Sequence, residues 1–426
     1  MSKSKNDNAW EKIFEHYQVI NILKNSDNFL ISSNEINKFR EARLMTKFDH
    51  KSQCPKLFID NNLSILPVSR GTYIIGEFET FHKFNQDNVA IKKIPFPIFL
   101  ESLSYKDITS EATAINCAFV SGILQDFTGE INLYPTVNGR MGSSIFDFNI
   151  NSNKDLFKVN VENSQIEIDG GYEGSDSLNL IEAKNYISDD FLIRQLFYPY
   201  KLWVKKIDKR VRSIFLTYTN GVFHLREYAF PDQEYYNSIQ LLKQGKYAFQ
   251  NDVINIETIQ KILSKITIIN EPKVPFPQAD SFARVINLCE LLKQKGTLTK
   301  EEITQNYDFD SRQTDYYSNA GKYLGLIDWE KEEDITICKL TMKAENLFNL
   351  SIFDRQIEFI KLILSHSVFK NTLELYLDRG GILTRQEIIK VMHNSNLHKV
   401  NSDSTYIRRS STISSWINWI MNLVEE

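Results

Sequence analysis

Asp169, Glu182 and Lys184 are the residues whose types and spacing could do chemistry in this 426-residue chain. They lie in two largely apolar runs, 166–173 and 178–184, separated by Gly174-Ser175-Asp176-Ser177. That pattern predicts two antiparallel strands joined by a tight turn. A turn centred between Ser175 and Asp176 sets Leu178 against Glu173 and carries Asp169 level with Glu182, while Lys184 shares the Glu182 face. Two carboxylates and a lysine so arranged suit a Mg²⁺-dependent phosphodiesterase. Hard carboxylate oxygens hold the cation, and the lysine orients or deprotonates a water. Like charges facing each other in a half-buried sheet repel unless a cation or the lysine offsets them. Glu-x-Lys alone says little, since Glu271-Pro272-Lys273 repeats it, and a hairpin with its charges on a wet face stays open as the alternative.

The next segment, Phe191 to Trp203, predicts a helix capped by Ser188 or Asp189 and bent or ended by Pro199. Arg194-Gln195 is a polar pair inside its apolar and aromatic run. Here the chain resembles the PD-(D/E)xK nuclease superfamily, in which a strand hairpin supplies the acid pair and lysine. Ile168 stands at the motif's proline. In some branches a following helix supplies Gln and Tyr, and Gln195 with Tyr198 or Tyr200 is similar to that element, although spaced differently. The resemblance also implies a glutamate near the metal from a helix before the core sheet. Thr109 to Leu124 reads as such an amphipathic helix, which makes Glu111 that residue; the alternative is a first-turn glutamate that only favours the helix dipole.

The length allows two to three domains. Net charge is -4, so nucleic-acid binding must rest on local basic patches. Lys201, Lys205, Lys206, Lys209, Arg210 and Arg212 form one such run, and either a phosphate track or a solvated face would explain it. Four cysteines without a C-x-x-C pair disfavour a zinc site and a disulfide framework and suit a reducing cytosol. No signal peptide or membrane span is expected, which points to a cytoplasmic protein.

Three regions follow. Residues 1–100 predict an α+β domain with two short strands around Arg70-Gly71, and Arg40, Arg43, Lys47 and Arg70 could reach DNA. Asp49-His50 reads as a local hydrogen-bonded pair. Residues 101–270 predict an α/β nuclease domain, a mixed sheet flanked by helices, and Asn220-Gly221 marks a further hairpin within it. His224 on that hairpin reads as a packed or surface histidine. Glu271 to Pro277, with three prolines, reads as an extended linker. Beyond it, Leu298-Thr299-Lys300-Glu301-Glu302-Ile303 parallels Leu383-Thr384-Arg385-Gln386-Glu387-Ile388, each predicting helix, turn, short helix, longer helix. This resembles tandem winged-helix domains over 278–350 and 351–426, a mainly α region. Arg312, Gln313 and Tyr316 in the first, and Arg408 and Arg409 in the second, would be base or phosphate readers.

A nuclease core beside groove-reading helices resembles a type II restriction endonuclease. The resemblance implies one or two Mg²⁺ held by Asp169, Glu182 and the Ala183 carbonyl, double-stranded DNA as substrate, cleavage leaving 5′-phosphates, a homodimer to cut both strands, and a cognate methyltransferase encoded nearby. Two alternatives remain: a DNA-binding winged-helix regulator on an inactive nuclease-like scaffold, and a repair or defence nuclease.

Overall fold

A computed structural model describes residues 4–85, 89–106, 108–153, 155–249, 253–306, 311–332 and 334–425. The two runs around the acid pair form strands Gln165–Glu173 and Ser177–Lys184. Leu178 pairs with Glu173 and Ile181 with Gly170, and the Gly174 N–H bonds the Ser177 carbonyl at 2.9 Å, so the turn is centred where the spacing sets it. Every residue of Ser177–Lys184 is buried, as in a central strand covered on both faces.

These strands belong to a seven-stranded mixed sheet. Its order is Ile91–Ile94, Gln240–Phe249, Val222–Ala229, Arg210–Thr219, Ser177–Lys184, Gln165–Glu173 and Tyr134–Gly142. Ser177–Lys184 runs parallel to Arg210–Thr219. Parallel neighbours need a crossover, and the helix Arg194–Trp203 supplies it. This helix starts later than expected, because Asp190–Leu192 is a short strand paired with Phe81–Lys83. Nor does Pro199 end it. Leu196, Phe197, Tyr198, Tyr200 and Leu202 are buried in the sheet's core cluster, and that packing offsets the roughly 3 kcal/mol an interior proline costs.

The helix Glu111–Val120 starts on Ser110, whose side chain accepts the Thr113 N–H, and the chain turns at Gly122 with φ 84° into Ile123–Thr128. Its packing uses Gly170, where a Cβ would stand 3.2 Å from Ile115. Between the strands Arg210–Thr219 and Val222–Ala229, Asn220 and Gly221 turn with φ 48° and 76°, the left-handed pair a two-residue hairpin needs.

The domain expected over 1–100 has its own core, built on Trp10, Ile13, Phe58, Ile36 and Ile75. It nevertheless joins 110–218 and 222–248 in one compact unit, because segment 47–53 bonds into the sheet domain. A second unit comprises 100–109, 219–221 and 249–426. There the helices Phe282–Lys295, Lys300–Asn306 and Ser311–Tyr323 accompany a three-stranded sheet of order Leu298–Thr299, Ile335–Leu340, Ile327–Glu332. Thr299 and Glu302 form a reciprocal cap, as do Thr384 and Glu387. The second repeat is the helices Ser367–Asp378, Arg385–His393 and Asp403–Met421, with no strand pair among the described residues of 351–426. The expected tandem therefore has strands in its first copy only. The proline-rich linker is packed rather than free: Phe276 is buried against Phe369, and Glu271 accepts the Tyr323 hydroxyl at 2.6 Å.

Among the described residues no helix is long and apolar enough to cross a membrane.

Candidate active site

The strand pairing delivers the acids. One residue beyond the Gly170/Ile181 pair, the Asp169 carboxylate accepts the Ala183 N–H at 2.8 Å. On the adjacent strand, Lys184 Nζ donates to Glu182 Oε1 at 2.6 Å. Gln195, second residue of the crossover helix, donates its amide N–H to the same Glu182 oxygen at 2.6 Å. Glu111, first residue of its helix, places Oε1 3.9 Å from Lys184 Nζ. The structure thus brings together Asp169, Glu182, Ala183, Lys184, Gln195 and Glu111 from two strands and two helices.

Burial raises the Glu182 carboxyl, and Asp169 and Asp49 add to that, while the Lys184 ammonium 2.6 Å away opposes it and favours the ionised form. Burial also raises Glu111, with Asp169 and Asp49 adding and Lys184 opposing. For Lys184 burial acts against the charge, but Glu182, Glu111, Tyr186 and Asp49 outweigh it and hold its pKa well above the usual lysine value. The site concentrates acidic charge around one ammonium, an environment that favours a further cation.

Asp49 was missed by sequence reasoning as a neighbour of this centre. It is not paired locally with His50 as expected. The Gln195 amide nitrogen lies 3.5 Å from Asp49 Oδ1, and Lys47 Nζ lies 3.6 Å from its Oδ2. Burial would raise the Asp49 carboxyl, but Lys184, Lys47, His50 and Arg194 overcome it and hold the group below its ordinary value. His50, fully buried, bonds the Asp190 carbonyl at 2.6 Å and the Tyr186 hydroxyl at 2.8 Å. The only signal in the sequence was a polar pair next to Phe48, which carries no spacing information about residues more than a hundred positions away.

Tyr198 and Tyr200 do not join the site. The Tyr198 hydroxyl donates to the Pro67 carbonyl at 3.1 Å, and Tyr200 packs against Phe230. Folding pairs four of the six residues of the basic run with acids, while Lys205 and Lys206 stay exposed. Lys201 is buried and bonds Glu234 at 2.7 Å, Lys209 bonds Glu173 at 2.6 Å, and Arg210 and Arg212 bond Glu227 at 3.0 and 2.6 Å. Among the remaining basic candidates, Arg43, Lys47 and Arg70 are exposed and Arg40 is half-buried. Arg312 and Arg408 are exposed on the helices Ser311–Tyr323 and Asp403–Met421, where Gln313, Tyr316 and Arg409 are half-buried.

Among the described residues no three Asp, Glu, His or Cys side chains converge as a ready metal cage. The donor set that the strands do offer is two carboxylates and the Ala183 carbonyl, all hard oxygens. Next to it the Gln195 Oε1 is buried with no hydrogen-bond partner among the described residues. An acid-rich pocket with an orphaned oxygen fits a hydrated Mg²⁺, which keeps several waters rather than demanding an all-protein shell.

Three family models match the chain, each described as a domain of unknown function: DUF6996 over residues 7–75, DUF6997 over 76–248 and DUF7226 over 284–425. No curated protein and no solved structure matches it. Asp49 therefore comes from the first matched segment, and Glu111, Asp169, Glu182, Lys184 and Gln195 from the second.

Proposed function

We propose that this chain is a site-specific, Mg²⁺-dependent endonuclease of double-stranded DNA, a type II restriction enzyme with a PD-(D/E)xK core. The observation that carries the reading is the contact of Lys184 and Gln195 with one Glu182 oxygen, one strand from Asp169. A sheet hairpin, a crossover helix and a preceding helix each contribute a polar residue to one spot, which a solvated charged hairpin would not do.

Asp169, Glu182 and the Ala183 carbonyl would hold the cation, which when bound supplies Lewis-acid stabilisation of charge on the phosphate and the leaving oxygen. Lys184 does the work of the chain's own nucleophile control: its ammonium, kept charged by Glu182, orients a water for in-line attack on phosphorus. Gln195 donates to the same Glu182 oxygen as Lys184, which leaves the other oxygen of that carboxylate for the cation, and Glu111 adds an acceptor near the Lys184 ammonium. The new P–O bond forms as the P–O3′ bond breaks, the water's proton passes to solvent and the 3′ oxygen leaves as a hydroxyl, so cleavage leaves a 5′-phosphate.

Support for an address comes from the second unit. The order helix, short strand, helix, helix, hairpin over 282–340 resembles a winged helix, and the exposed Arg312 lies on the helix that would enter a groove. The second repeat would present Arg408 and Arg409 from a helical variant without a wing. Cutting both strands calls for two sites, hence a homodimer, and a methyltransferase gene beside this one would accompany a restriction system.

The test is digestion of plasmid and phage DNA by the purified chain with Mg²⁺. Discrete bands are expected, with cleavage abolished by Lys184→Ala while DNA binding persists. Binding without any cutting favours a regulator on a nuclease-like scaffold; a smear, or unchanged cutting by the variant, sinks the site-specific proposal.

A further inference from the structure

Gln195 is held by two acids that belong to different parts of the chain. Its amide nitrogen lies 2.6 Å from Glu182 Oε1 and 3.5 Å from Asp49 Oδ1. A carboxamide has two N–H donors and one oxygen, and it turns its donors toward carboxylates. The opposite rotamer would set the amide oxygen against two acid oxygens. With the nitrogen so committed, Oε1 is left buried and unpartnered among the described residues. A buried acceptor of this kind is costly unless something outside the protein donates to it.

Segment 47–53 is built to keep Asp49 there. The Asp49 carbonyl accepts the Leu192 N–H at 3.0 Å, and its own N–H is bonded to Gln53 at 2.8 Å. His50 bonds Asp190 and Tyr186, and the Lys51 N–H bonds Asp190 Oδ1 at 3.1 Å. These bonds clamp the segment on 186–192, the stretch between Lys184 and Gln195. The Asp49 side chain is only 12% exposed, whereas Lys47, its ion-pair partner, is 70% exposed at the rim.

We propose that Asp49 is a positioning residue for Gln195, fixing the carboxamide so that Oε1 accepts a hydrogen bond from the attacking water. This rests on the nuclease reading above. The N-terminal segment is then part of the active site: Lys184 addresses the water with a positive charge, and Gln195 fixes its orientation as an acceptor. Asp49 acts through Gln195 rather than on the reacting atoms.

The experiment is a mutant cycle on the full chain: wild type, Asp49→Asn, Gln195→Ala and the double variant, with Asp49→Ala as a second probe. Asp49→Asn keeps the volume and frees the amide to flip. Plasmid cleavage with Mg²⁺ is expected to lose about tenfold in kcat, in the range of a mispositioned reacting group, with KM and DNA affinity within about twofold. The double variant should be no slower than Gln195→Ala, because both lesions remove one function. Urea midpoints of the same four proteins should also be non-additive, a readout that needs no activity. Losses that multiply in the double variant, or a wild-type rate for both Asp49 variants, overturn the role of Asp49 while leaving the nuclease reading intact. A wild type that cuts no DNA overturns the nuclease reading, and with it the catalytic part of this one. Additive urea midpoints overturn the Asp49–Gln195 coupling in either case.

Discussion

Lys184 Nζ lies 2.6 Å from Oε1 of Glu182, two residues back on the same strand, and both side chains are less than a tenth exposed. Buried ion pairs gain little over apolar packing, but removing one partner strands the other. Glu182→Ala leaves the ammonium without its nearest carboxylate and should destabilise the fold by about 3 kcal/mol. Glu182→Leu with Lys184→Met should recover most of that in urea denaturation while remaining inactive. Recovery of stability without cleavage would mean that the pair is kept for chemistry; an equally unstable double variant would make it structural.

His224 gives an acid sensitivity with a defined origin. Its Nε2 bonds Gln244 Oε1 at 2.8 Å and Nδ1 lies 2.7 Å from Arg226 Nη2. The neutral ring therefore carries its proton on Nε2 and accepts from arginine on Nδ1. Burial, then Arg226, lowers the pKa to about 3, with Gln244 opposing. The unfolded histidine takes up a proton below about 6.5, so its stabilisation is fully present above that pH and is lost as pH falls toward 3. At pH 5 the loss reaches about 2 kcal/mol. Wild type should therefore lose stability relative to His224→Gln between pH 7 and pH 5, and parallel pH profiles for the two proteins would refute the account.

Gly171 allows the edge strand to approach. A Cβ there would stand 2.7 Å from Val137 Cβ and 2.9 Å from the Val137 carbonyl oxygen, so backbone must move rather than a side-chain tip. Gly171→Ala should cost about 1–3 kcal/mol and expose the amides of Tyr134–Gly142 to faster hydrogen exchange. Unaltered exchange on that strand would remove the steric explanation.

Arg312 and Arg408 are exposed on the helices Ser311–Tyr323 and Asp403–Met421, which the proposed function assigns to DNA. Changing either to Ala should weaken DNA binding. A phosphate contact lowers the salt dependence by about one counterion, whereas a base contact costs about 1–3 kcal/mol at one position of the site and relaxes specificity there. Titrations at several salt concentrations distinguish these outcomes. Unchanged affinity in both variants would mean that these helices do not face DNA.

The hairpin, its register and the Asn220-Gly221 turn were legible in the sequence because they depend on neighbours a few residues apart. Alternation, turn chemistry and caps act locally, so Asp169 could be set level with Glu182 before any fold was known. Thr299 and Thr384 are likewise local signals, N-cap residue types placed just ahead of helical runs. Other features depended on contacts at long range. Pro199 reads as a helix end until the aromatic core around Phe197 and Tyr200 outweighs its cost. Lys201, Lys209, Arg210 and Arg212 read as part of a charged patch until Glu234, Glu173 and Glu227 reach them.

By itself, then, the sequence determined a strand hairpin with two acids and a lysine in register, a helix on either side of it, and two capped helical repeats after a proline-rich stretch. Only the tertiary structure decided that Gln195 grips Glu182, that both tyrosines of the helix turn into the core, and that Asp49 arrives from the N-terminal segment. The physical reason is range: strand pairing and capping are set by residue spacing, whereas the field at Glu182 is summed over groups that only folding brings together.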